Sequence, residues 1–250
     1  MASPIVDLLS EVFPAVAADS VSVPRSCWVA RVLRSEGYGL DSLSEAVLVV
    51  TRHGQRDLLK KRLAGEHPIG RLRAHHPQYD RAVRDCLSEA CAFAWADLRG
   101  LGVPSFTFLE KGTPDVRVDA AEQQRTSWIE VKAIHPSDED NAQTEQMMST
   151  GQSSRGEVPI GPAEGLISKF EYGFQNAKVK FNRSRHATPI LFYNLTMVDM
   201  SHFLRWKFDR DEILEWVERK RTEDPKVSIV ICCKYDWRHP FLDPLEESLK

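Results

Sequence analysis

Several features that mark large protein classes are missing from this sequence. It has 5 cysteines in 250 residues and no CxxC pair, which argues against a zinc ribbon or an iron–sulfur cluster. Its longest apolar run, Ala90 to Ala96, is far short of the roughly 20 residues that cross a bilayer. No basic stretch precedes an apolar one near the N-terminus, as a signal peptide requires. We therefore expect a reduced, cytoplasmic protein without a membrane segment.

Two cofactor motifs are also missing. There is no GxxxxGK[ST] loop, so nothing in the chain indicates an ATP site of that type. His53, His67, His75 and His76 show no helical HxxxH or HExxH spacing, so we assign no zinc site.

Charge is nearly balanced, with 33 basic and 36 acidic residues and a net charge of −3, which neither demands nor excludes a nucleic-acid partner. Two segments are nevertheless basic. Arg52 to Arg84 holds nine Lys or Arg residues against three acids, and Lys169 to Arg185 holds five against one. Each segment is either a solvated helix face or a surface that contacts a phosphate backbone.

Hydrophobic spacing predicts a helical N-terminal region followed by alternating strands and helices. Helices are predicted at Pro4–Val16, Cys27–Leu33, Ser42–Val50, Gln78–Leu98, Leu166–Phe181 and Asp211–Arg221. Strands are predicted at Ser105–Glu110, Val116–Ala120, Ser127–Ile134, Pro189–Thr196 and Val227–Tyr235. Asp41 or Ser42 is a candidate N-cap, and the last fifteen residues resemble a tail.

The element order predicts an α/β fold. Three consecutive strands favour an antiparallel meander, and the later alternation favours crossover connections, so we expect a mixed sheet flanked by helices. We divide the chain into a helical N-terminal region, 1–76, and a second domain, 77–250. The stretch from His135 to Ala163 has no periodicity, and such a long loop is typical of a functional or a disordered segment.

The strongest chemical signal is the segment TPDVRVDAAEQQRTSWIEVKAI. Asp115 opens one predicted strand, and Glu130 and Lys132 lie two residues apart on the next, so their side chains share a face. Two carboxylates supply the hard oxygen ligands that Mg²⁺ prefers. A bound ion polarises phosphate and lowers the pKa of a water, while a lysine orients that water or stabilises the developing charge.

This pattern resembles the signature of the PD-(D/E)xK nuclease superfamily, which has a restriction-endonuclease-like fold. Pro114-Asp115 and Glu130-Val131-Lys132 match its PD and ExK halves. Glu89, Gly100 and Pro114-Asp115 resemble the order found in Holliday-junction resolvases and Mrr-type nucleases. The resemblance covers residues 78–196, and the N-terminal 75 residues match nothing we can name.

The resemblance implies a Mg²⁺- or Mn²⁺-dependent endonuclease that cuts DNA, leaves a 5′-phosphate and serves in defence or repair. Asp115, Glu130 and the Val131 carbonyl would hold the metal, and Lys132 would be the catalytic lysine. Glu89 would be a further ligand or would hold a metal-bound water. The family often carries a Gln or Lys on the helix after ExK, where Gln175 and Lys178 are the candidates. A homodimer or a partner such as a helicase or ATPase is also implied.

Other interpretations remain open at this point. Glu130 and Lys132 are also compatible with a surface ion pair, although their apolar neighbours favour a buried strand. The fold is also compatible with a protein that binds nucleic acid or a partner without catalysis. Asp119 or Glu122 replaces a ligand if the strand register differs. His135 is more typical of a surface residue than of a catalytic one, and Trp206, Trp216 and Trp237 are more typical of packing than of base stacking.

Overall fold

A computed structural model describes residues 3–18, 20, 27–36, 39–65, 77–108, 112–120, 125–135, 164–182, 187–196 and 200–244. Within them, the helices are α1 (Pro4–Val12), α2 (Pro14–Ala18), α3 (Trp28–Leu33), α4 (Leu40–Arg52), α5 (Arg56–Gly65), α6 (Pro77–Leu98), α7 (Glu164–Phe181) and α8 (Met200–Glu223). The strands are β1 (Val103–Phe106), β2 (Val116–Ala120), β3 (Arg125–Ile134), β4 (Ala187–Leu195) and β5 (Ser228–Cys233).

The five strands form one mixed sheet in the order β1-β2-β3-β4-β5. β1, β2 and β3 are antiparallel neighbours, as the short connections between them require. β3, β4 and β5 are parallel, with α7 and α8 as the crossovers. The predicted α/β class, with a meander followed by crossovers, is confirmed.

The sheet separates two hydrophobic clusters. Alternate strand residues, among them Ile129, Val131 and Phe192, join one cluster with α6 and the N-terminal helices. Leu191, Tyr193 and other residues of the opposite phase join a second cluster with α7 and α8. The period-two alternation thus gives β3 and β4 two different faces, and helices cover both of them.

The N-terminal helices share their core with the α/β part of the chain. The α1 stripe of Ile5, Leu8, Leu9 and Val12 is buried, as its spacing predicts. These residues belong to the same cluster as α6 and the inner face of β2 and β3. The predicted boundary at 76/77 coincides with the start of α6, but the buried core runs across it.

The predicted side-chain cap at Asp41 or Ser42 is wrong. The N-cap of α4 is Gly39, which has a φ of 74° and makes no side-chain capping bond. A Cβ at Gly39 would lie 2.3 Å from the Lys234 carbonyl oxygen, so the close approach of the two backbones requires glycine here.

Residues 236–244 are not a tail. Trp237 and Leu242 are buried, and Leu242 exchanges backbone hydrogen bonds of 3.0 and 3.1 Å with Ile231 of β5. The buried Asp243 accepts hydrogen bonds from Trp95 Nε1 at 2.9 Å and from Arg99 Nε at 2.7 Å. The short apolar stretch made no periodic pattern, so only tertiary contacts reveal it. Across the described residues, no helix combines the length and apolarity needed to cross a membrane.

Candidate active site

The site lies at a fork in the sheet, where β2 begins beside the middle of β3. The Asp115 amide donates to the Ile129 carbonyl oxygen at 3.0 Å, and beyond this point β3 continues beside β4 alone. The Asp115 carboxylate then accepts from the Val131 amide at 2.8 Å, replacing the missing strand neighbour. Because the N–H and C=O of a strand residue point to the same edge, the Val131 carbonyl also lies on the Asp115 side.

Glu130 and Lys132 project together from the α7 face of β3, as predicted. Lys132 Nζ donates to Glu130 Oε1 at 2.6 Å. The Glu130 side chain is completely buried, whereas Lys132 keeps 26% of its side chain exposed. A surface ion pair would leave both groups in water, so the burial of Glu130 argues against that interpretation.

Asp115, Glu130 and Lys132 form a cluster with a fourth residue, Lys180, which the sequence did not predict. Its Nζ lies 2.7 Å from both oxygens of Glu130 and 3.7 Å from Asp115 Oδ1. Helix phase explains its position, because Lys180 lies seven residues, or two turns, after Gly173, and Gly173 packs against Lys132 and Tyr193 of the sheet. The two carboxylates from neighbouring strands therefore share one ammonium group.

Gln175 and Lys178 do not reach the cluster, so the prediction for this helix is corrected. Gln175 is exposed and donates to Glu171 at 2.8 Å, and Lys178 pairs with Asp224 at 3.2 Å. Both side chains leave α7 on other faces than Lys180 does. The apolar stripe predicted which side of α7 is buried, but it did not predict which flank faces β3.

Glu89 enters from α6, on the opposite side of the sheet. It is buried, its Oε1 accepts from Arg62 Nη2 at 3.3 Å, and its Oε2 is buried without a hydrogen-bond partner. Burial, followed by the nearby Asp115 charge, raises the pKa of Glu89 to about 8, although Arg62 opposes the shift. The charge of Asp115 thus acts on Glu89, although Glu89 approaches from the α6 side of the sheet.

Asp115 also has a raised pKa. Burial and then the Glu130 charge raise the pKa of Asp115 to about 6, against the opposing effects of Lys180, the Val131 amide and Lys132. Perturbed carboxyl groups that are packed against each other are common at functional sites.

Asp119 and His135, which the sequence also singled out, have roles outside the cluster. β2 pairs with β3 in a register that leaves Asp119 paired with Arg117 and Thr126. His135 is held by Thr196 at 2.8 Å and by Asp85 at 2.7 Å, a structural arrangement at the end of β3.

Several predictions lie outside the described residues: those for Glu122, Arg183, Arg185, the side chain of Trp206 and the loop after His135. Trp216 and Trp237 are core residues, as predicted.

The first basic segment contains structural ion pairs. Arg56 and Lys60 pair with Glu11 at 2.7 and 2.8 Å, tying α5 to α1. Arg84 lies over the Trp28 ring, and Arg62 contacts Glu89. This segment is therefore not a uniform solvated face in its described part.

The donor set suits a hard cation better than a soft one. Among the described residues, no three His, Cys, Asp or Glu side chains form a group that could hold a metal ion by themselves. Asp115 and Glu130 nevertheless converge on one cation, the Lys180 ammonium. Two carboxylates and the Val131 carbonyl, completed by water, match the oxygen ligands of Mg²⁺, which keeps several waters in proteins.

Comparisons with protein-family models, with curated proteins and with solved structures find no match for this chain. The resemblance to the PD-(D/E)xK superfamily therefore remains a prediction from the motif and its context.

Proposed function

We propose that this protein is a metal-dependent nuclease that hydrolyses phosphodiester bonds of DNA, with Asp115, Glu130, Lys132 and Lys180 as its active-site cluster. One observation carries the proposal: the buried Glu130 carboxylate and the half-buried Asp115 carboxylate converge on the Lys180 ammonium at the fork of the sheet, with Lys132 beside Glu130. A protein gains little stability from burying a charge such as that of Glu130, so its burial favours a functional role.

Asp115, Glu130 and the Val131 carbonyl would hold Mg²⁺ or Mn²⁺. When bound, such an ion supplies Lewis-acid polarisation of a phosphate and a water of lowered pKa. The amide of Val131 keeps the Asp115 carboxylate oriented through the 2.8 Å hydrogen bond. Because this donor belongs to the sheet backbone, the carboxylate is positioned before substrate arrives.

The lysines stabilise negative charge on the substrate. The Lys132 side chain is partly exposed beside Glu130, and its Nζ donates to the phosphoryl oxygens as charge grows on them. Lys180 reaches the same carboxylate from α7 and adds a second positive charge. In the reaction, the oxygen of a water attacks phosphorus while the bond from phosphorus to the 3′ oxygen breaks, leaving a 5′-phosphate and a 3′-hydroxyl. Glu89 orients a water on the α6 side of the cluster.

Cleavage of supercoiled plasmid DNA tests the proposal. The unaltered chain, E130A and K132A are incubated with Mg²⁺, with Mn²⁺ and with EDTA, and K178A serves as the matched control because Lys178 pairs outside the cluster. We expect metal-dependent nicking or linearisation by the unaltered chain and by K178A only. Cleavage that persists in E130A and K132A would contradict the proposed site. DNA binding without cleavage would favour the alternative, a protein that only binds nucleic acid.

A further inference from the structure

Arg62 is the point at which the N-terminal helical region meets the active-site cluster. It lies on α5, whose Leu59 and Leu63 are completely buried in the shared core. From this anchored helix, Nη2 of Arg62 donates to Oε1 of Glu89 at 3.3 Å. The Glu89 side chain is 6% exposed and that of Arg62 is 32% exposed, so the pair is buried on its acidic side and open on its basic side.

Arg62 also packs on Phe108, next to a residue that is hydrogen-bonded to the Asp115 backbone. Its guanidinium lies over the Phe108 ring, 5.2 Å from the ring centre. Phe108 follows Thr107, whose amide donates to the Asp115 carbonyl at 3.2 Å and whose hydroxyl donates to the Pro114 carbonyl. One side chain thus contacts both Glu89 and Phe108, which is next to the residue that holds the Asp115 backbone.

The other cations of α5 do not share this position. Arg56 and Lys60 pair with Glu11 on the outside of the helical region, and Lys61 is exposed. Stability alone does not explain the Arg62 arrangement, because it leaves the second Glu89 oxygen buried without a partner. An oxygen in this state, near the Asp115 carboxylate, is what a cation or a metal-bound water would engage.

We propose that Arg62 is a positioning residue of the active site: it fixes one Glu89 oxygen and packs on Phe108 beside the Asp115 backbone, so that the other Glu89 oxygen is presented to the bound cation or its water. This inference rests on the proposed metal site. It assigns a role to the N-terminal helical region, which supplies a residue that supports a Glu on α6 rather than a separate function. Partners that hold the ligands of a metal site commonly contribute 10–100-fold to metal affinity.

The sign of the effect separates this role from direct repulsion between Arg62 and the metal. Arg62 is a cation near a cation site, so this repulsion alone predicts that its removal tightens metal binding. Positioning predicts the opposite, because a released Glu89 no longer presents its oxygen. The effect should also vanish once Glu89 itself has been changed, since Arg62 acts through it.

The experiment is Mn²⁺ binding by calorimetry on the full chain, with R62A, R62Q, E89Q and the double variant R62Q/E89Q. K61A is the matched control, since Lys61 is the adjacent cation on α5. Thermal unfolding of each variant shows that it is folded at the temperature of the titration. We expect R62A and R62Q to raise the Kd for Mn²⁺ by about 10-fold. We expect no effect of K61A, and the same Kd for R62Q/E89Q as for E89Q.

An unchanged or lower Kd in both folded Arg62 variants would overturn the inference, as would an equal increase with and without the E89Q change. If the unaltered chain binds Mn²⁺, D115N does not, and the Arg62 variants bind it with an unchanged Kd, only this inference fails. If the unaltered chain binds no Mn²⁺ at all, the metal site of the proposed function fails together with it.

Discussion

The α5 and α7 helices each carry several cations. Among the described residues, one cation of each helix contacts a buried glutamate at the site, Glu89 or Glu130. On α5 that cation is Arg62, while Arg56 and Lys60 bind Glu11. On α7 it is Lys180, while Lys178 binds Asp224. Neighbouring cations of the same helix therefore serve different purposes, and the helix face decides which purpose each one serves.

The two helices also differ in what they contact. Lys180 touches Glu130 and approaches Asp115 directly, so we assign it to the chemistry. Arg62 touches Glu89 and the Phe108 ring, so it acts through other residues. The density of positive charge in a segment does not distinguish these cases, whereas the burial of the acidic partner does. Glu130 and Glu89 are buried, and Glu11 is 41% exposed.

The largest effect is expected from breaking the α7 contact. K180A should lower the rate of metal-dependent DNA cleavage by about 100-fold or more, the usual cost of losing one group that stabilises transition-state charge. K178A, two residues away on another face, should leave the rate unchanged. Single-turnover cleavage with Mg²⁺ measures both. Equal rates for the two variants would remove the distinction between the two lysines of α7.

The next largest effect is expected for Glu89, the buried partner of Arg62, and it is a pH-dependent change in stability. The pKa of Glu89 is raised from 4.5 to about 8, so between these values the folded chain keeps a proton that the unfolded chain has released. The stability of the unaltered chain therefore falls as pH rises through this window. The E89Q variant has no carboxyl group at this position, so its stability does not fall for this reason. E89Q should be more stable than the unaltered chain by roughly 1–3 kcal/mol at pH 8.5 and by less at pH 5.5. Chemical unfolding in EDTA tests this, and a benefit that shrinks with rising pH would contradict it.

A smaller effect is expected where α7 approaches the sheet. A Cβ at Gly173 would lie 2.9 Å from the Tyr193 hydroxyl and 3.3 Å from Lys132 Cγ. That hydroxyl is fixed by its 2.5 Å hydrogen bond to the Phe170 carbonyl, so it has little freedom to move. Overpacking costs about 1–3 kcal/mol, and alanine returns about 1 kcal/mol of helix propensity. G173A should thus lower the free energy of unfolding by about 1 kcal/mol and slow cleavage. G65A is the control, because no atom lies within 4 Å of its Cβ.

The smallest effect belongs to the exposed partner of the α5 cations. Hydrogen bonds from Arg56 and Lys60 lower the pKa of Glu11 to about 2, so its stabilisation is present above pH 4.5 and is lost as pH falls toward 2. E11Q should cost no more than about 1 kcal/mol at pH 7, because the pair is exposed and screened. Its pH dependence is opposite in sign to that of E89Q. E11Q and the unaltered chain should differ less in stability at pH 3 than at pH 7, and cleavage should be unaffected.

Strand periodicity made much of the site predictable. Val116–Ala120 has the bounds that the alternation indicated, and the two-residue spacing of Glu130 and Lys132 placed them on one face. The pairing of β2 with β3 then brings Asp115 beside them. These are local properties of a strand and of a short connection, so the sequence contains them.

The missing parts depend on contacts between distant segments. Lys180 and Gln175 lie on the same predicted helix, and only the packing of Gly173 against Lys132 shows which one faces the site. Arg62 lies 27 residues before Glu89, outside the segment that carries the motif. Gly39 and Asp243 likewise owe their roles to Lys234 and Arg99, far away in the chain.

The most direct test of the central claim compares two aspartates, one immediately before β2 and one near its end. D115N and D119N make the same chemical change, but Asp115 lies in the active-site cluster and Asp119 pairs with Arg117. The measurement is the rate of Mg²⁺-dependent cleavage of plasmid DNA by the two variants and the unaltered chain. We predict that D119N cuts like the unaltered chain and that D115N is slower by about 100-fold or more. A D115N variant that cuts as fast as D119N would contradict the assignment of this cluster as a nuclease site.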